Sequence, residues 1–135
     1  MGDRSNVRVI DDTDSTQSVY LYTHWGGVEL LNTVRCALSR RWRWNDGAYL
    51  TRIIFDVMKE DATSDETGFG ISNHICDYEY PIIVVNPAKK AVVLTNTRGK
   101  ELCPPLTFEE FIDDSSGLYP QFEELYLSGR DQWDK

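Results

Sequence analysis

"YPIIVVNPAKKAVVLTN", residues 80–96, decides the fold. Two β-branched runs, Ile82–Val85 and Ala91–Leu94, flank the turn-forming "NPAKK", so the stretch reads as a β-hairpin. A lone hairpin is marginal in water, and the rest of the chain must supply partners for it. Upstream, "NVRVID" (6–11) alternates Val7 and Val9 against Asn6 and Arg8 and reads as a strand. "SVYLYTHW" (18–25) reads as a second strand, joined to the first through the acidic tip "DDTDSTQ". In that strand Val19, Leu21 and Thr23 point one way, and Tyr20, Tyr22 and His24 the other.

Gly26-Gly27 breaks the strand, and the apolar spacing changes to helical. Leu30, Leu31, Val34, Ala37 and Leu38 form one face of a first helix, on which Cys36 is also expected to be buried. Asn45 or Asp46 is the N-cap of a second helix over 47–60, with Tyr49, Leu50, Ile53, Ile54, Val57 and Met58 as its stripe. "DATSDETG" (61–68) is a polar loop, and "FGIS" (69–72) opens an extended segment. Thr107 and Glu110 make a capping box for a helix in "LTFEEFIDD", and "YPQFEELYLS" forms a last short helix ended by Gly129. The order is ββαα-βββ-αα in a single domain, 1–135, with 130–135 expected to fray. Strands in runs and helices in runs argue for an α+β fold: two layers, an antiparallel sheet with helices on one face.

At 135 residues, 41% hydrophobic and 27% charged, the chain is long enough for one buried core. Its net charge is −8, spread over both halves, and general nucleic-acid binding is disfavoured because phosphate affinity needs clustered Lys and Arg. No apolar run reaches bilayer length, "MGDRSNVRV" is too polar for a secretion signal, and a cytoplasmic protein is the expectation. Cys36, Cys76 and Cys103, odd in number and widely spaced, read as reduced thiols.

Together "MGDRSNV", "YLYTHWGG", "RIIFDVM", "TGFGIS" and "DYEYPIIVV" resemble a family of short bacterial and phage or prophage proteins with an MGDRxNV start, a YLYTHWGG strand and a TGFGI segment. The resemblance covers residues 1–95, and the acidic part from Pro104 is less typical. It implies a phage- or prophage-associated protein, and it carries no established activity and no catalytic residue.

Candidate sites follow from local chemistry. A strand running through Gly26-Gly27 into a helix brings backbone amides to a helix start, where anions bind. His24 offers a proton or charge, Trp25 a stacking face, and Arg4 and Asn6 lie beside them if the first two strands pair. Phe69 and Gly70 border the same junction. The competing reading is a tight turn with Trp25 as packing, since "HWGG" matches neither GxxxxGK[ST] nor GxGxxG. "RRWRW" (40–44) mixes arginine and tryptophan as nucleic-acid and membrane peptides do, yet its place at a helix C-terminus accounts for it structurally. Metal binding would need His24, His74, Cys76 and Cys103 to converge without a second close pair, so no metal or cofactor is expected. Cys76 with His24 or His74, or Asp77 with Glu79, would be the catalytic pairs, and no motif supports them.

Three functions remain. The first is a small binding protein that sequesters an anionic small molecule or nucleotide at the strand–helix junction, and it leads because no catalytic set is assembled. The second is an acidic inhibitor of a host protein, built on "FEEFIDD" with Glu123 and Glu124. The third is a nucleotide or phosphodiester hydrolase using His24. Free sheet edges at 81–95 make homo-oligomerisation a further expectation.

Overall fold

A computed structural model describes residues 3–60, 66–113 and 117–135. Part of the expected polar loop (61–65), the first two residues of the MGDR start and the end of "FEEFIDD" lie outside them.

The elements run β1 (Ser5–Ile10), β2 (Ser18–Thr23), a 3-10 turn (Gly27–Glu29), α1 (Leu30–Ser39), α2 (Gly47–Met58), β3 (Phe69–Ser72), β4 (Ile82–Asn86) and β5 (Ala91–Thr95). The two-residue β6 (Leu106–Thr107), α3 (Phe108–Ile112), α4 (Leu118–Ser128) and α5 (Arg130–Trp133) complete the chain. This is the expected α+β fold in the expected order, with β6, the 3-10 turn and α5 added. The six strands form one open sheet in the order β3-β2-β1-β4-β5-β6. Four of its pairings are antiparallel, as expected, but β1 and β4 are parallel, so the sheet is mixed. The two helices between β2 and β3, together with β3 itself, carry the chain back so that β4 enters beside β1 in the same direction.

Register explains the core. Val7 faces Leu21 and Ile83, Ile83 faces Leu94, and Val9 faces Val85, which faces Val92. All are at most 2% exposed, and they form one face of the sheet. Leu30, Leu31, Val34, Ala37 and Leu38 of α1 and Leu50, Ile53 and Ile54 of α2 belong to the same core cluster. Each fully buried aliphatic side chain contributes about 1.5–3 kcal/mol. Both faces of β4 are covered: Ile82 and Val84 are as buried as Ile83 and Val85, hence a continuous apolar run rather than an alternation.

Three further expectations are corrected. The hairpin at 81–95 leaves no free edge to pair with a second copy, because β4 lies between β1 and β5, and β5 carries β6. Cys36 is exposed, because it sits off the α1 stripe that Leu30, Leu31, Val34, Ala37 and Leu38 complete without it. The terminal segment does not fray. Arg130–Trp133 form a helical turn, Trp133 is 4% exposed with its ring on Tyr78, and Asp134 accepts hydrogen bonds from Tyr78 Oη (2.6 Å) and from the amide and hydroxyl of Thr97 (3.0 and 2.7 Å). A single buried tryptophan and one carboxylate hold down a segment whose polarity reads as loose. Among the described residues no helix is long and apolar enough to cross a membrane.

Candidate functional site

The strand–helix junction is built around close backbone approaches. The amide of His24 donates to Gly68 O at 2.8 Å, the Thr23 hydroxyl to Trp25 O at 2.5 Å, and Gly26 turns the chain with φ 72°. The Gly27 amide donates to Asp3 O at 2.9 Å, and a Cβ there would come within 2.5 Å of that oxygen and 2.8 Å of the Tyr80 ring. Gly27 is therefore a crossing point, and its amide is bonded to protein. Trp25, 57% exposed, lays its ring on Gly68, where a Cβ would stand 2.8 Å away.

The predicted site residues divide between two sides of the sheet. On the sheet face opposite Val7 and Leu21, Asn6 pairs with Tyr22, and the Tyr22 hydroxyl lies 3.0 Å from Nδ1 of His24. Burial pushes the Tyr22 phenol up, with the Arg4 charge opposing it. Gly70 faces Tyr22 across the β2–β3 ladder. Asn6, fully buried, accepts from the Cys76 amide (3.0 Å) and donates to Asp77 O (3.2 Å), while Arg4 donates to Glu79 Oε1 (2.8 Å) and Asp77 Oδ2 (3.2 Å). The Glu79 hydrogen bond, chiefly, raises the Arg4 pKa. Arg4 and Asn6 thus tie down the segment between β3 and β4, and two carboxylates meet the Arg4 charge. On the helix side Trp25, Gly26 and Phe69 line a pocket of about 190 Å³ with Thr23, Glu29, Leu30, Thr33 and Met58, in which Glu29 is the one charged residue. Of the expected site residues Arg4 is the one arginine, and it is paired with Glu79 and Asp77. Among the described residues no three His, Cys, Asp or Glu side chains gather as a metal site.

A different place concentrates positive charge. α1 ends at Ser39, with Arg40 as C-cap. Arg41 follows with φ 61°, its amide on Leu38 O at 3.0 Å, in the left-handed conformation that usually calls for glycine after a helix. Arg43 is left-handed too (φ 57°), and its carbonyl accepts from Asp46 N (3.0 Å) before the Asp46 carboxylate caps α2 through Tyr49 N. Across from them the β4–β5 turn ends on Lys90, with φ 51°. These are the non-glycine residues with positive φ among the described residues, and all three line one cleft of about 510 Å³ with Trp44, Asn45 and Asp46. Left-handed backbone costs a non-glycine residue roughly 1–2 kcal/mol, and such strain collects at functional sites.

Aromatic rings stiffen the cleft. Trp44 donates its Nε1 to Leu38 O (3.1 Å) and meets Phe108 edge-on at 5.2 Å. The Arg41 guanidinium lies 5.3 Å over the Trp44 ring, and that of Arg43 lies 4.6 Å over Tyr49. Arg41 is also paired with Glu109 of α3, with Nη2 3.0 Å from Oε2, and this contact holds the Glu109 carboxyl below its usual range. Among the described residues Arg43 and Lys90 form no ion pair. "RRWRW" marks half of this cleft in the sequence. In the sequence Lys90 reads only as a lysine of the turn "NPAKK", and the sign of more is its place at the last position of a four-residue hairpin loop, where glycine or asparagine is usual.

The chain matches no family model, no curated protein and no solved structure. The fold and the cleft define its class: an α+β domain with a cationic, aromatic-floored cleft at one end of its sheet.

Proposed function

We propose that this protein binds a small anionic molecule, and that it does so in the cleft between the α1–α2 connection and the β4–β5 turn. The carrying observation is the convergence of Arg41, Arg43 and Lys90, each in a strained backbone conformation, in a chain of net charge −8. Asp46 is the one acidic residue of the lining, and its carboxylate is used as a helix cap. The lining supplies charge and a flat surface but no histidine, cysteine or hydroxyl nucleophile, which supports binding over turnover. Binding without turnover is what sequestration requires. The balanced charge around Arg4 and the acidic pocket beside Trp25 favour this cleft over the strand–helix junction as the place for an anion.

Two charge-assisted hydrogen bonds, from Arg43 and Lys90, contribute about 1.5–3 kcal/mol each, enough for dissociation constants in the range of about 40 μM to 6 mM. Isothermal titration with pyrophosphate at low ionic strength tests the reading. The wild type is expected to bind, and the Arg43→Ala, Lys90→Ala double variant to bind at least tenfold more weakly. Equal heats from the two proteins would overturn it.

A further inference from the structure

Accepting that the cleft holds an anion, we infer that its ligand is a nucleoside phosphate of one or two phosphates, neither an inorganic anion nor a nucleic-acid strand. The cleft joins two chemistries that such a ligand needs at once. Arg43 and Lys90 line it as cations without ion-pair partners among the described residues, and they supply the charge for the phosphate end. Trp44 lines the same cavity and is locked by its bond to Leu38 O and by Phe108 behind it. The Arg41 guanidinium covers the Trp44 ring and is fixed in turn by Glu109, so the stacking surface the cleft offers is the Arg41 plane backed by Trp44. A base stacks on tryptophan and on guanidinium planes alike. Asn45, also in the lining, brings an amide with both donor and acceptor to the edge of that base.

Size and charge set the limits. A cleft of about 510 Å³ lies in the range of small-molecule pockets and exceeds the needs of a lone phosphate or pyrophosphate. A longer strand would leave the cleft over acidic ground. Asp12 stands against Gly47, one residue beyond Asp46, where a Cβ would lie 2.9 Å from Asp12 Oδ1. Glu109 bounds the other side through Arg41, with Glu110 next in α3. The positive charge is thus a spot, and strand-binding proteins need a track.

The test compares four probes on the full chain at low salt: adenosine diphosphate, pyrophosphate, adenosine and a short oligothymidylate. Adenosine diphosphate is expected to bind about tenfold tighter than pyrophosphate and to quench tryptophan fluorescence, since each stacked base adds that order of affinity. Adenosine alone is expected to bind weakest. Trp44→Phe should lose most of the quenching while keeping the phosphate-dependent part of the affinity, and a native circular-dichroism spectrum would show that it is folded. Equal affinity for adenosine diphosphate and pyrophosphate, without quenching, would leave the anion site standing and overturn the nucleoside inference. Tighter binding of the oligothymidylate than of adenosine diphosphate would overturn it in favour of a strand. Failure of every anion would remove the anion reading itself.

Discussion

Lys90 sits at the end of the β4–β5 turn with φ 51°, its amide on Pro87 O at 3.3 Å and its carbonyl accepting from Phe108 N at 2.8 Å. Replacing it with glycine leaves both backbone bonds in place and removes the left-handed penalty of roughly 1–2 kcal/mol. Glycine also frees the unfolded chain, which returns about 0.4–1 kcal/mol. Lys90→Gly is therefore expected to stabilise the protein by about 0.5–1 kcal/mol, a rise of a few degrees in Tm for a chain of this length. The same change deletes one of the two cations of the cleft lining that form no ion pair among the described residues, and should weaken pyrophosphate binding about 10- to 100-fold. Lys90→Ala separates the effects: it keeps the strain, should leave stability within about 0.5 kcal/mol, and loses the same affinity. Urea denaturation with titration calorimetry measures both quantities. A glycine variant that is less stable than wild type, or that binds equally well, would refute the idea that strain is kept at Lys90 for the sake of its charge.

Other positions carry independent expectations. Gly27→Ala drives a methyl group into Asp3 O and the Tyr80 ring and should cost about 1–3 kcal/mol in a urea titration, whereas Gly26→Ala, with open space around it, meets only backbone strain. Burial alone would push the Asp134 carboxyl up, but its bonds to Tyr78 and Thr97 prevail and hold it below the usual range. Its contribution is therefore present above the unfolded carboxyl pKa near 3.9 and is lost as pH falls through the lower folded value. The protection of amides 130–135, taken relative to intrinsic exchange at each pH, should fall over that acidic window, and Asp134→Asn should flatten the change. With an aromatic disulfide reagent Cys36 should react at once and Cys103, buried and with its thiol pushed up by that burial, only on unfolding; equal rates would contradict the burial of Cys103.

What the sequence makes legible is local. The α1 stripe Leu30, Leu31, Val34, Ala37 and Leu38, the Asp46 cap, the Thr107–Glu110 box and the two hairpins all follow from spacing, and all are present. The parallel pairing of β1 with β4 is not legible, because periodicity says which residues face a core and nothing about which strand lies alongside. The same limit applies to function. "THWGG" looks like an anion-binding turn, yet Gly27 serves a crossing with Asp3 and Tyr80 that only tertiary contact defines. "RRWRW" shows its chemistry openly, but Lys90, which closes the cleft opposite it, stands some fifty positions away and joins it only through the sheet. Trp133 is the one large apolar residue of a polar tail, and that isolation was the available sign of its burial.

The most direct measurement is a nitrogen-15 amide spectrum recorded through a titration with adenosine diphosphate. Shifts are expected to concentrate at residues 41–46 and 87–90, the two walls of the cleft. Shifts confined to residues 23–28 and 68–70, or no shifts at any concentration up to several millimolar, would contradict a binding site there.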